Sequence, residues 1–139
     1  MKTSQGSECI TAGVRVRVTP DYIASESSPD DNRFLFAYRI TIVNEGSEAV
    51  QLLSRIWRIV DADGETSVVR GDGVIGQQPT LAAGATYEYS SYCPLGTRWG
   101  TMEGTYRFRA AATNAEFDVE VARFYLVAGT ENQTASTKQ

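Results

Sequence analysis

An immunoglobulin- or fibronectin III-like antiparallel β-sandwich of seven or eight strands is the fold that this sequence predicts, on three observations. Short stretches alternate apolar and polar residues with period two, and Gly, Pro and Asn stand between them. No stretch sustains an apolar i, i+3, i+4, i+7 stripe. The strands are too few and too uneven to require closure into a barrel. At 139 residues, 42% hydrophobic and 22% charged, the chain suits one domain with one core.

The elements follow in order. Residues 1–13 are polar apart from Ile10 and read as an N-terminal arm, and residues 14–127 form the sandwich. Val14 to Tyr22 places Val14, Val16 and Val18 on one face and Arg15, Arg17 and Thr19 on the other. Ser25 to Asn32, with Ser28-Pro29-Asp30-Asp31, is a loop. Alternation resumes at Phe34, Phe36, Tyr38, Ile40 and Ile42 and stops at Asn44-Glu45-Gly46. Val50 to Asp61 is apolar on both faces, as an interior strand is, and turns at Asp61-Ala62-Asp63-Gly64 into its hairpin partner, Thr66 to Arg70. After Gly71 to Gly76, with Pro79 blocking ladder donation, Thr86 to Tyr92 alternates and sets Tyr87 and Tyr89 on one face. Pro94, Gly96 and Gly100 predict a loop. Met102, Gly104, Tyr106, Phe108 and Ala110 share a face, Asn114 turns the chain, and Phe117 to Val127 closes the fold. Residues 128–139 read as a polar, mobile tail, and its Asn132-Gln133-Thr134 sequon, without a secretory route, carries no weight.

Composition removes whole classes of function. A net charge of −4 with scattered Arg residues leaves no cationic patch for phosphates, so nucleic acid is not an expected partner. Neither end carries an apolar run, which predicts a cytoplasmic chain without a membrane span. Cys9 and Cys93 are then expected as reduced thiols. There is no histidine, so Ser-His-Asp and Cys-His nucleophile systems and HExxH zinc sites cannot be built, and two cysteines cannot form a zinc cage. No catalytic residue, metal ligand or cofactor is predicted. An enzyme would rest on carboxylates such as Asp72, Glu88 and Glu103.

Four features remain. Asp61-Ala62-Asp63-Gly64 opens like a calcium loop but continues with Glu65, Thr66 and Asp72 where an EF-hand needs other residues, and it joins strands. Gly71-Asp72-Gly73-Val74-Ile75-Gly76 matches G-x-G-x-x-G, which lets backbone amides approach a pyrophosphate at a helix N-terminus. Pro79 interrupts any helix there, and the Asp72 carboxylate repels phosphate, so a tight bend or bulge is the preferred reading. Among the aromatics, Tyr92 and Trp99 flank the Pro94 to Gly100 loop and are candidates for an exposed interaction surface. Arg55 and Trp57 share one strand face, where a hydrogen-bonded Arg serves structure.

From Val14 to Val127 the chain resembles the ApaG family. The motifs that carry the resemblance are Ser27-Ser28-Pro29, Phe36-Ala37-Tyr38, Asn44, Val50-Gln51-Leu52-Leu53, Arg55-Ile56-Trp57, Gly71 to Gly76 with Gln78-Pro79, Gly84, Tyr89-Ser90-Ser91, Gly100-Thr101-Met102 with Gly104 and Tyr106, and Phe124-Tyr125-Leu126. The resemblance implies a fibronectin type III-like sandwich, a bacterial setting linked to cobalt resistance and magnesium transport, and, in related eukaryotic domains, protein interaction. It implies no catalytic residues, and it places a suggested pyrophosphate site at Gly71, Gly73 and Gly76. The expectation is a non-enzymatic module that binds a protein partner. The alternative is a sensor that binds a phosphorylated nucleotide, such as a dinucleoside polyphosphate, near Gly71 to Gly76.

Overall fold

Period-two alternation has one stable outcome: strands pair side by side, and the apolar face of the resulting sheet is covered by another. The computed structural model describes residues 5–129 and shows nine strands: β1 (Ser7–Thr11), β2 (Val14–Tyr22), β3 (Phe34–Asn44), β4 (Val50–Asp61), β5 (Thr66–Asp72), β6 (Thr80–Leu81), β7 (Thr86–Leu95), β8 (Trp99–Ala110) and β9 (Glu116–Val127). One sheet has the order β1-β2-β3-β7 and the other β5-β4-β8-β9, with β6 also on the edge of β4. Every pairing is antiparallel. The fold is therefore the predicted sandwich, with two short strands more than seven.

The core is where the alternation puts it. Phe36, Tyr38, Ile40, Trp57, Tyr106 and Phe124 are all buried between the sheets. The Trp57 ring meets Tyr38, Tyr106 and Phe124 edge-on at centroid distances of 5.7, 6.0 and 6.0 Å, the orientation that ring quadrupoles favour. Buried Asn44 donates from Nδ2 to the carbonyls of Glu48 at 2.8 Å and Leu81 at 3.0 Å, so its burial leaves no donor wanting.

Three expectations are corrected. Ser7–Thr11, inside the predicted arm, pairs with β2. It also reaches the other sheet, where Ser7 Oγ donates to Ala122 O at 2.8 Å and Glu120 N donates to Thr11 Oγ1 at 3.2 Å. Backbone pairing needs no apolar period, which is why the sequence hides this strand. The first four residues of the arm, and the tail from residue 130, lie outside the described residues.

The apolar run of β4 does not mean burial on both faces: β4 is central within its sheet, but its outer face meets solvent and Ile56 is exposed. The cause is a bulge at Leu53, where Leu52 opposes Phe108 and Ser54 opposes Arg107. The extra residue resets the alternation, so Leu52, Arg55 and Trp57 all face inward. Finally, Pro94 lies within β7 rather than in a loop. Asn44 N donates to Ala85 O at 2.9 Å, and on the same register the amide position of Pro94 faces the free side of this edge strand, where no ladder bond is lost.

Candidate functional site: the glycine hairpin and the open flank

The two sheets meet closely along one flank, where β1 lies against β9 and Tyr125 N donates to Gln5 O at 2.8 Å. Among the described residues the opposite flank ends in two bare edges, β7 and β5. The predicted glycine motif closes β5 at that flank.

Gly71 and Asp72 end the strand. Gly73 N donates to Leu53 O at 2.8 Å, and Val74 and Gln77 exchange both backbone hydrogen bonds, each at 2.8 Å. Between them Ile75 at φ +40° and Gly76 at φ +78° give a two-residue hairpin of type I′, the turn whose twist suits antiparallel strands. A β-branched residue is out of place there, because its Cβ crowds the carbonyl at a cost of about 1–2 kcal/mol. Gly73, at φ +62°, has no alternative: an added Cβ would stand 2.1 Å from Gln77 O.

The hairpin is tied down from below. Val74 is fully buried. Arg55 Nη1 donates to Gly73 O at 2.7 Å and to Asp72 O at 3.1 Å, so the inward guanidinium clamps the carbonyls of the motif. Gln78 Nε2 donates to Leu53 O at 2.8 Å and steadies the return. An anion cradle needs several amides converging on one point. Here the amides of Gly73, Val74 and Gln77 already donate to carbonyls, and a turn rather than a helix follows.

Behind the hairpin is a small polar cluster within the core. The hydroxyls of Tyr89 and Tyr106 share a hydrogen bond of 2.5 Å. Burial raises both phenols above their usual pKa, as it does that of Tyr38, and it pushes the Cys93 thiol up to about 11. Cys9 and Cys93 are free. Groups held neutral in this way are structural at neutral pH, since a phenol or thiol there is not a ready nucleophile.

The other predicted residues separate. Tyr92 projects from the outer face of the β1-β2-β3-β7 sheet, opposite Ala37, and is 64% exposed. Trp99 begins β8 and projects from the outer face of the other sheet, 47% exposed and diagonal to Tyr125, since Thr101 opposes Tyr125. The loop between them is only Gly96-Thr97-Arg98, so the two aromatics point away from each other and do not form one patch. The loop is held by Thr97 Oγ1, which accepts from Ala62 N at 3.0 Å and donates to Trp99 O at 2.8 Å. Asp61 Oδ1 accepts from the amides of Asp63 and Glu65, both at 2.9 Å, which makes the Asp61 to Gly64 segment a side-chain-capped turn. Among the described residues no three His, Cys, Asp or Glu side chains group as metal ligands would. Glu103 pairs with Arg123 at 2.7 Å, and Glu88 lies beside Thr41 on the outer face of the other sheet.

Sequence reasoning missed the depression of about 580 Å³ on the outer face next to the hairpin, floored by Leu53 and Ile56 and walled by Asp72, Gln78 and Arg107. Arg107 is held by Asp118 at 2.6 Å and Glu116 at 3.1 Å. Its signal was the Leu53 bulge, which no hydropathy pattern displays.

A small antiparallel sandwich with an ordered edge hairpin and apolar groups on its outer faces is a scaffold of the immunoglobulin and fibronectin kind. The match to known proteins is specific within that class. The ApaG domain matches residues 24–110. The Protein ApaG of Brucella suis biovar 1 (strain 1330) is 48% identical over 117 residues, 84% of this chain and 89% of that protein. That of Methylobacterium sp. (strain 4-46) is 49% identical over 116 residues, covering 84% and 88%. The crystal structure of the putative ApaA protein from Bordetella pertussis superposes with a TM-score of 0.81 at 42% identity, over 89% of this chain and 97% of that one. The C-terminal domain of wzt, at 10% identity and a TM-score of 0.53 over 99% and 89% of the two chains, shares the fold alone. The chain belongs to the ApaG family. No helix of the described residues is long and apolar enough to cross a membrane.

Proposed function

We propose that this protein is a non-enzymatic, cytoplasmic interaction module that docks a protein partner on the outer faces of its sheets. The observation that carries the reading is the exposure of large apolar side chains on rigid strands: Trp99 and Tyr125 together on one face, and Tyr92 on the other. Aromatics fixed in this way bind at little entropic cost, which is why they anchor interfaces. The depression beside the hairpin is open, a shape that suits a side chain of a partner better than an enclosed small molecule. Any part in cobalt or magnesium handling, which the family resemblance implies, is proposed to run through that partner.

The glycine motif is proposed as a structural hairpin, and the support is that the Gly73 and Val74 amides donate to backbone carbonyls. Calorimetric titration with a dinucleoside polyphosphate separates this from the nucleotide-sensor reading. Flat traces for wild type and Asp72→Asn are expected, whereas saturable binding that tightens in Asp72→Asn would establish a phosphate site. For the partner, wild type, Trp99→Ser and Tyr92→Ser are immobilised and exposed to a soluble extract of the source cells. Retention of a discrete protein, cut at least about tenfold by one of the two changes, is expected. Equal retention by all three, or none by wild type, refutes the docking faces.

A further inference from the structure

The free edge of β5 has a composition that matches itself. Gly73 N donates to Leu53 O, and the same register continues as Ser54 opposite Asp72 and Arg55 opposite Gly71. Hydrogen-bonded pairs alternate along an antiparallel ladder. Ser67, Val69 and Gly71 therefore turn their N–H and C=O groups to β4, and Val68, Arg70 and Asp72 turn theirs to the open flank, where the Asp72 carbonyl also accepts from Arg55 Nη1 at 3.1 Å. No second strand among the described residues takes them.

Edges of this kind are normally blunted by proline, lysine, a bulge or a cover. Thr66–Asp72 has neither proline nor lysine, pairs with β4 without a register shift, and leaves Val68 52% and Val69 41% exposed. The other bare edge, β7, does contain a proline, Pro94.

Charge then selects an occupant. Arg70 and Asp72 stand on the outer face two residues apart, and neither forms a salt bridge with any described residue. A two-fold axis through Gly71, perpendicular to the sheet, sets Arg70 opposite Asp72 of a second copy and Asp72 opposite its Arg70. These are also the residues whose backbone groups point outward, so each pair exchanges both backbone hydrogen bonds, the Asp72 carbonyl taking the partner's Arg70 amide on the lone pair that Arg55 leaves open. Centring the axis on Arg70 or on Asp72 opposes like charges, and centring it on Val68 or Val69 leaves Arg70 facing Thr66 or Val68. Gly71 on the axis has no side chain to crowd the close, non-hydrogen-bonded pair.

We infer that a second copy of this chain adds to β5 as an antiparallel strand centred on Gly71, making a symmetric dimer with one continuous sheet across the interface. This surface shares Asp72 with the depression beside the hairpin but uses none of the Trp99, Tyr125 and Tyr92 side chains, and it stands independently of their role.

Sedimentation velocity with light scattering tests it, on wild type, Arg70→Asp, Asp72→Arg and the double swap, from about 10 μM to about 1 mM protein at low salt. Wild type should dimerise with rising concentration, and more weakly in added salt. Each single change turns two matched pairs into two repulsive ones and should weaken the dimer at least about tenfold. The double swap should restore it, because the pairs are re-formed with the signs exchanged. Circular dichroism melts identify any variant that fails to fold, and the comparison is then made with Arg70→Ser and Asp72→Asn. A wild type that stays monomeric throughout overturns the inference and leaves the docking faces untouched. A dimer indifferent to the single changes, or unrestored by the double swap, overturns it as well.

Discussion

Replacing Gly73 by alanine puts a number on the glycine hairpin. Two costs arise in the native state. At φ +62° an L residue is strained by about 1–2 kcal/mol. The new Cβ would also lie 2.1 Å from the backbone oxygen of Gln77, which cannot rotate away, so the hairpin must open. Opening forfeits the two Val74 to Gln77 bonds, worth about 0.5–1.5 kcal/mol each. The sum is about 2–5 kcal/mol. A chain of 139 residues unfolds with an entropy of about 0.3 kcal/mol per kelvin, so Tm should fall by about 7–17 K in scanning calorimetry. Gly76→Ala is the control, because Gly76 has φ +78° but nothing within 4 Å of an added Cβ. It carries the strain alone and should lose only about 3–7 K. Gly73→Ala falling no further than Gly76→Ala would refute the steric argument.

Three more outcomes follow from the same geometry. Ile75→Asn, a better residue for the first position of a type I′ turn, should raise Tm by about 3 K, and a fall in the melt would reject the turn assignment. Tyr89→Phe and Tyr106→Phe each strand one hydroxyl of a buried pair and should cost about 1–3 kcal/mol in urea denaturation. The double variant should cost less than the sum, and simple additivity would show that the hydroxyls do not interact. Stability should also fall as pH rises above the ordinary thiol range through about 11. Folding raises the Cys93 pKa to about 11 and those of Tyr89 and Tyr106 above the phenol range, so the folded state keeps protons that the unfolded chain releases. A urea midpoint unchanged between pH 8 and pH 11 would contradict the burial of these groups.

Much of the fold could be read directly, because β3 buries one face completely, β2 and β8 bury most of one, and their hydropathy keeps the two-residue period. The misreadings have physical causes. Ser7–Thr11 is ordered by backbone bonds and by lateral contact with β9, neither of which leaves an apolar signature. In β4 an inserted residue makes two alternating half-strands look like one doubly apolar run. Pro94 resembled a loop because a sequence does not show that its missing donor falls on the free side of an edge strand. At the site, the glycines were legible as a bend, but the Arg55 clamp needed the knowledge that Leu53 bulges and turns Arg55 inward. Tyr92 and Trp99 are close in sequence, yet a strand and a sheet change between them send them to opposite faces.

The arrangement of the flanks gives the molecule a spine and a mouth. Where β1 lies along β9 the two leaves are stitched by hydrogen bonds that cross from one sheet to the other. Between β7 and β5 no strand among the described residues does that work; there the Tyr89 and Tyr106 hydroxyls join β7 to β8, while the Arg55 guanidinium holds the hairpin to its own sheet. Stiffness is therefore graded across the width of the sandwich, and breathing motions begin at the mouth. A partner strand that seals the β5 rim would quieten the interior without touching it, so association at the rim and motion of the buried tyrosines become two readings of one equilibrium.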